Sequence, residues 1–173
     1  ISNKNKLIKF IKSEKNLGFV PTMGAIHKGH LSLIKKSTKQ CNKTIVSIFV
    51  NKPQFNKKSD FIKYPRFLNK DISMLKKSKI NYLFVPNTKQ IYSSNRSRKI
   101  KIHPFSKKLC GKFRKGHFEA IVDVVDRFIK IIKPNKIYFG EKDMQQLKIV
   151  KDYILKNYTK IKVIGCKTIR EKN

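Results

Sequence analysis

Apolar positions along the chain fall into two alternating patterns. The short ones are β-branched or aromatic runs at residues 17–20, ended by Pro21; 44–50 (TIVSIFV); 81–85, stopped by Pro86; 136–139, ended at Gly140; and 160–164. Such runs, bounded by turn residues, predict strands. The long ones repeat at helical spacing. Residues 29 to about 39 carry Leu31, Leu33 and Ile34, and residues 67–78 carry Leu68, Ile72 and Leu75. Residues 118–132 place Phe118, Ile121, Val122, Val125, Phe128, Ile129 and Ile132 on one face, and residues 143–155 form a last helix. Residues 100–103 predict a short alternating piece. Strands separated by helices imply an α/β fold, a parallel sheet with helices on both faces. Ligands of such sheets bind at the carboxyl ends of strands, near a topological switch point. The turns that follow strands are therefore where chemistry is sought.

The 173 residues, 39% hydrophobic with 12 Phe, suffice to bury a core. No apolar run approaches the ~18 residues of a membrane helix. Residues 1–11 are broken by lysines and lack a secretory apolar stretch. The first residue is not Met, so a trimmed N-terminus is expected. Cys41, Cys110 and Cys166 are odd in number and have no CxxC spacing, which fits a reducing, cytoplasmic setting.

The formal charge of +32 brings in nucleic acid as a partner class. Its make-up points elsewhere. Of the 42 basic residues 36 are Lys and 6 Arg, while Ile numbers 23, Asn 13 and Ala 2. Lys, Ile and Asn have A/T-rich codons, so drift in base composition explains the charge. The lysines are spread evenly, and phosphate clamps favour the bidentate Arg fork. No specific nucleic-acid partner is expected.

Four segments carry candidate chemistry. Residues 21–30, PTMGAIHKGH, follow a strand and open a helix. Gly24 and Gly29 permit close backbone approach, and the helix N-terminus offers N–H groups to phosphate. His27 and His30, in an HxGH pattern, can donate hydrogen bonds as charge builds on a triphosphate. A zinc site there lacks a third ligand. Asn51 and Gln54, after the second strong strand, can hydrogen-bond a small polar substrate. In Gly140-Glu141-Lys142-Asp143-Met144-Gln145-Gln146, Asp143 suits an N-cap or Mg²⁺, Lys142 a phosphate, and Gln146 the same crevice. Arg114, bracketed by Gly111 and Gly116, marks a candidate phosphate-facing loop, with His117 as a helix-start residue.

Taken in order, PTMGAIHKGHLSLI, VSIFVNKPQF, DFIKYPR, LCGKFRKGHF, YFGEKDMQQL and KTIRE resemble the pantoate–β-alanine ligase family along almost the whole chain. The resemblance implies a Rossmann-like domain over residues 1–173, of the HIGH-type nucleotidyltransferases. It implies adenylation of pantoate by ATP with Mg²⁺, then attack by β-alanine to give pantothenate and AMP. Catalytic roles would fall to His30, His27 and Lys142. ATP would be lined by Met23, Gly24, Ala25, Ile26, His27, Lys28, Gly29, His30, Gly140, Glu141, Lys142, Asp143 and Ile169. Gln54 and Gln146 would hold pantoate, with Gln54 near β-alanine; Asn51, Tyr64 and Arg114 would assist. The resemblance also implies a homodimer.

There are departures. Lys28 stands where the family favours Glu, and Asn56 where it favours Gly. The family pattern continues beyond Asn173 into a Ser-Ser-Arg motif and a small closing domain, so weak binding and poor turnover are expected of this chain. The competing readings are another HIGH-type nucleotidyltransferase, a basic nucleic-acid-binding module, and an inactive remnant with a scaffold role.

Overall fold

The computed structural model describes residues 1–92 and 100–170. Its strands are β1 (Leu17–Thr22), β2 (Lys43–Ile48), β3 (Tyr82–Phe84), β4 (Lys136–Gly140) and β5 (Lys162–Cys166). They form one sheet in the order β3-β2-β1-β4-β5, parallel at every pairing. Helix α1 (Lys4–Ile11) precedes β1, and α2 (Lys28–Gln40) joins β1 to β2. Helices α3 (Lys58–Lys63) and α4 (Leu68–Lys76) lead to β3. Then come α5 (Thr88–Ile91), α6 (Cys110–Phe113) and α7 (His117–Ile132) before β4, and α8 (Met144–Asn157) before β5.

Side chains alternate across the sheet, so each strand feeds two cores. Leu17, Phe19, Ile45, Ile137 and Phe139 meet Leu7 and Ile11 of α1, the apolar stripe of α7, and α8. Val20, Val46, Ile48 and Tyr138 meet Leu33 and Ile34 of α2 and Leu75 of α4 on the other face. Helix α2 sits directly on the backbone of β1. A Cβ at Gly18 would stand 2.2 Å from Ser37 Oγ.

The five strands and four long helices read from the pattern are present, with shifted ends. Strand β1 runs through Pro21 because its ladder to β2 extends to Thr22, whereas its ladder to β4 covers only Gly18 and Phe19. A residue without N–H is tolerated where one side is already unpaired. Residues 100–103 form no strand; they lead into a 3₁₀ turn, Pro104–Lys107. The lysine-rich start is helical, since Leu7 and Ile11, one turn apart, are both buried. The 3₁₀ turn Glu141–Asp143 precedes α8, and Asp143 occupies the cap position without making a side-chain capping bond.

From β1 the chain winds outward through β2 to β3, then returns to β4 on β1's other side and continues to β5. The switch point lies between β1 and β4.

Candidate functional site

Two joined clefts open at the carboxyl ends of β1 and β4. His27, His30 and Asp143 line both. The larger, about 280 Å³, adds Met23, Asn51, Gln54, Tyr64 and Gln146 over a floor of Phe49, Val125 and Phe128. The smaller, about 150 Å³, adds Gly29, Gly140, Lys142, Lys167 and Ile169. One compartment is thus amide-rich, the other carries two lysines.

His27 is the N-cap of α2, its Nδ1 accepting from the Gly29 N–H at 3.1 Å. With Nδ1 an acceptor, the neutral ring carries its proton on Nε2 and is a donor there. The His30 ring lies 4.1 Å away, centroid to centroid. Burial, then the neighbouring His27, lowers the His30 pKa to about 4, against an opposing pull from Asp71. His30 Nδ1 is buried without a hydrogen-bond partner among the described residues. In the unliganded chain at neutral pH, His30 is a neutral imidazole.

The turn before α2 is held from outside. Asp71 of α4, 2% exposed, accepts from the Ala25 N–H at 2.9 Å and the Ile26 N–H at 2.8 Å. The turn needs that clamp, because Gly24 (φ 86°) and Ala25 (φ 51°) are both left-handed. Charge-assisted bonds to a carboxylate offset the strain of a non-glycine residue there. These N–H groups, and that of Gly29, are therefore taken and do not face a ligand as donors.

Gln54 is fixed at both ends. His117 Nδ1, behind it on α7, donates to its backbone oxygen at 2.7 Å. Asn51 Nδ2 donates to its side-chain oxygen at 3.1 Å, and its Nε2 reaches Met23 Sδ at 3.2 Å. Asn51 itself is 1% exposed and stands behind Gln54. Burial, then Asp71, pushes the Tyr64 phenol pKa up.

The sequence-predicted residues divide accordingly. Met23, His27, His30, Asn51, Gln54, Tyr64, Asp143 and Gln146 meet in the larger cleft, and Gly29, Gly140, Lys142 and Ile169 complete the smaller. The others are not brought to either. Gly24 lines a separate cavity of about 330 Å³ between β2, β3 and α4. Ile26 packs in the core. Ala25 lines neither cleft, Lys28 is exposed on the first turn of α2, and Arg114 is exposed before α7. The Glu141 side chain lies against the β5 backbone, its Oε1 3.1 Å from where a Gly165 Cβ would be. Asp71 and Tyr92 escape sequence reasoning. Asp71 reads as an ordinary first-turn acid, and Tyr92 follows a four-residue helix in a stretch without periodicity. Glu171, the last residue of KTIRE, lies outside the described residues.

A wholly parallel α/β sheet with a two-compartment cleft at its switch point defines a ligand-binding domain of the doubly wound class. Residues 1–173 match the family described as pantoate-beta-alanine ligase, and the chain belongs to it. It is similar to the pantothenate synthetase of Pseudothermotoga lettingae, 42% identical over 99% of this chain and 61% of the relative. The pantothenate synthetase of Azobacteroides pseudotrichonymphae is 44% identical over 96% of this chain and 60% of the relative. The chain thus spans about three fifths of the length of these curated relatives. Among solved structures, pantothenate synthetase from Thermus thermophilus superposes with a TM-score of 0.94 at 33% identity, covering 99% of this chain and 62% of that one. The pantoate-beta-alanine ligase of Francisella tularensis, complexed with beta-gamma ATP and beta-alanine, gives 0.93 at 40% identity, covering 99% and 67%.

Proposed function

We propose that this chain carries the ATP and pantoate sites of a pantoate–β-alanine ligase. The observation that carries this reading is the shared wall: His27, His30 and Asp143 border both the lysine-bearing and the amide-rich cleft. A reaction that joins a nucleotide to an acid needs such a boundary. The carboxylate oxygen attacks the α-phosphorus and pyrophosphate leaves. The β-alanine amine then attacks the acyl carbon, and AMP leaves as the amide forms.

The residues fit these steps. Lys142 places a point charge beside the triphosphate, and His27 donates from Nε2. Gln54 and Gln146 bind pantoate oxygens above an apolar floor that suits its gem-dimethyl carbon. Ile169 meets the adenine. A triphosphate beside His30 raises its proton affinity from the low unliganded value, turning it into a proton donor only when nucleotide is present. Mg²⁺ enters with ATP as part of the substrate, and Asp143 is the carboxylate that borders both compartments. The ATP and beta-alanine held by the Francisella tularensis relative support the same substrates here.

Residues 1–173 are read as the family's Rossmann-like domain. A cytoplasmic protein is supported by three free cysteines, two of them buried. A homodimer is supported by the apolar Ile62, Phe67 and Leu68, exposed close together in sequence around α3 and α4.

Pantoate-dependent exchange of pyrophosphate into ATP, with His30→Ala as control, tests the reading. Exchange that requires pantoate and fails in the variant is expected. If the wild-type chain is silent even when the C-terminal part of a full-length relative is added, the reading is wrong for this chain.

A further inference from the structure

We propose that Tyr92 is a positioning residue that, together with the Ala120 carbonyl, holds Asn51 in place and so fixes which end of the Gln54 amide faces the larger cleft. Gln54 thereby presents a donor, and the position selects an acceptor oxygen of the acid substrate. The identity of that substrate rests on the function proposed above; the hydrogen-bond polarity does not.

The polarity follows from groups that have no choice. The Ala120 backbone oxygen can only accept, and Asn51 Nδ2 lies 3.3 Å from it. That orients the Asn51 amide, whose Oδ1 then accepts from the Tyr92 hydroxyl at 2.7 Å. The second hydrogen on Nδ2 goes to Gln54 Oε1. A glutamine whose oxygen is thus occupied must turn its NH₂ outward. Its Nε2 meets only the Met23 thioether among the described residues, a weak acceptor that a ligand oxygen displaces readily.

Tyr92 is itself held. The Arg127 guanidinium stacks 4.4 Å over its ring. Arg127 Nε donates to both Asp123 oxygens at 3.0 Å, and Nη1 donates to the Ile91 oxygen. A partly buried ion pair on α7 therefore supports the phenol, the phenol supports Asn51, and Asn51 sets Gln54. Burial raises the Tyr92 pKa to about 12, so it stays a donor across the working pH range.

The test uses the whole chain with Tyr92→Phe, which removes one hydroxyl and keeps the ring, and Asn51→Asp, which removes both donated hydrogens. Tyr92→Phe is expected to raise KM for pantoate about fivefold, the worth of one modest hydrogen bond. Its kcat and KM for ATP stay within about twofold. Asn51→Asp raises the pantoate KM further, because Gln54 now turns its Nε2 toward the new carboxylate and its oxygen toward the substrate. Both variants shift the Gln54 side-chain amide resonances in ¹⁵N spectra. Unchanged Gln54 resonances, or equal losses for ATP and pantoate with a broadened melt, would overturn the proposal. If wild type supports no exchange, the functional reading fails and the spectra alone decide the relay. If the phenylalanine variant does not fold, Asn51→Asp carries the same prediction.

Discussion

The rings of His27 and His30 stand 4.1 Å apart and are tilted by 36°, one capping α2 and the other half-buried beside it. Burial is the larger cause of the low His30 pKa, and the neighbouring imidazole the second.

A pH dependence of stability follows. Folding lowers the His30 pKa from 6.5 to about 4, so between these values the unfolded chain binds more protons than the folded one. Stability is full above about pH 6.5, falls as pH drops toward 4, and levels below. The full effect is on the order of 3 kcal/mol. His117, also lowered chiefly by burial, adds in the same direction. Urea unfolding at pH 7 and pH 4.5 measures the slope, and His30→Gln should flatten part of it.

Asp71→Asn should loosen the turn at residues 24–26. The amide can accept from one of the two N–H groups but sets its own NH₂ against the other. A loss of about 2–3 kcal/mol is expected, typical for charge-assisted bonds at a buried site. Thermal melting checks it. Backbone amides of Ala25 and Ile26 should also lose hydrogen-exchange protection before the rest of the sheet does.

Gly18→Ala should destabilise the chain although β1 is extended there. The added methyl meets Ser37 Oγ at 2.2 Å and Cys41 Sγ at 3.0 Å, so α2 must move off the sheet. Overpacking of this kind costs about 1–3 kcal/mol. Ser37→Ala in the same chain removes the nearer clash, and a double-mutant melt should recover part of the loss.

Lys142→Met separates the two compartments. Lys142 borders only the smaller cleft. The variant should weaken ATP use by about tenfold or more and leave pantoate KM nearly unchanged, the worth of one charge-assisted contact. Steady-state exchange at varied ATP and varied pantoate reads both. Equal effects on the two substrates would place Lys142 elsewhere in the mechanism.

The amino-acid sequence by itself determined the sheet, the four long helices and most of the cleft. Strand runs and helical stripes are local patterns, and the residues after β1 and β4 are contiguous segments that any reading of strand-to-helix turns inspects. His27, His30, Lys142, Asp143 and Gln146 were legible for that reason. The tertiary structure decided what depends on contacts distant in the chain. Asp71 lies 45 residues from the Ile26 N–H it holds, and Tyr92 lies 41 from Asn51. Asp71 falls within the helical stripe of residues 67–78, but nothing local says what its carboxylate holds, and Tyr92 follows no periodic pattern. The structure also decided that Ile26 faces the core and Arg114 the solvent, because a turn's side-chain directions follow from its backbone angles and not from its composition. It gave Asn51 and Gln54, three residues apart and both bordering the larger cleft, different parts: a buried support and the more exposed amide it holds. That division is set by hydrogen bonds from α7 and Tyr92, which only the folded chain brings together.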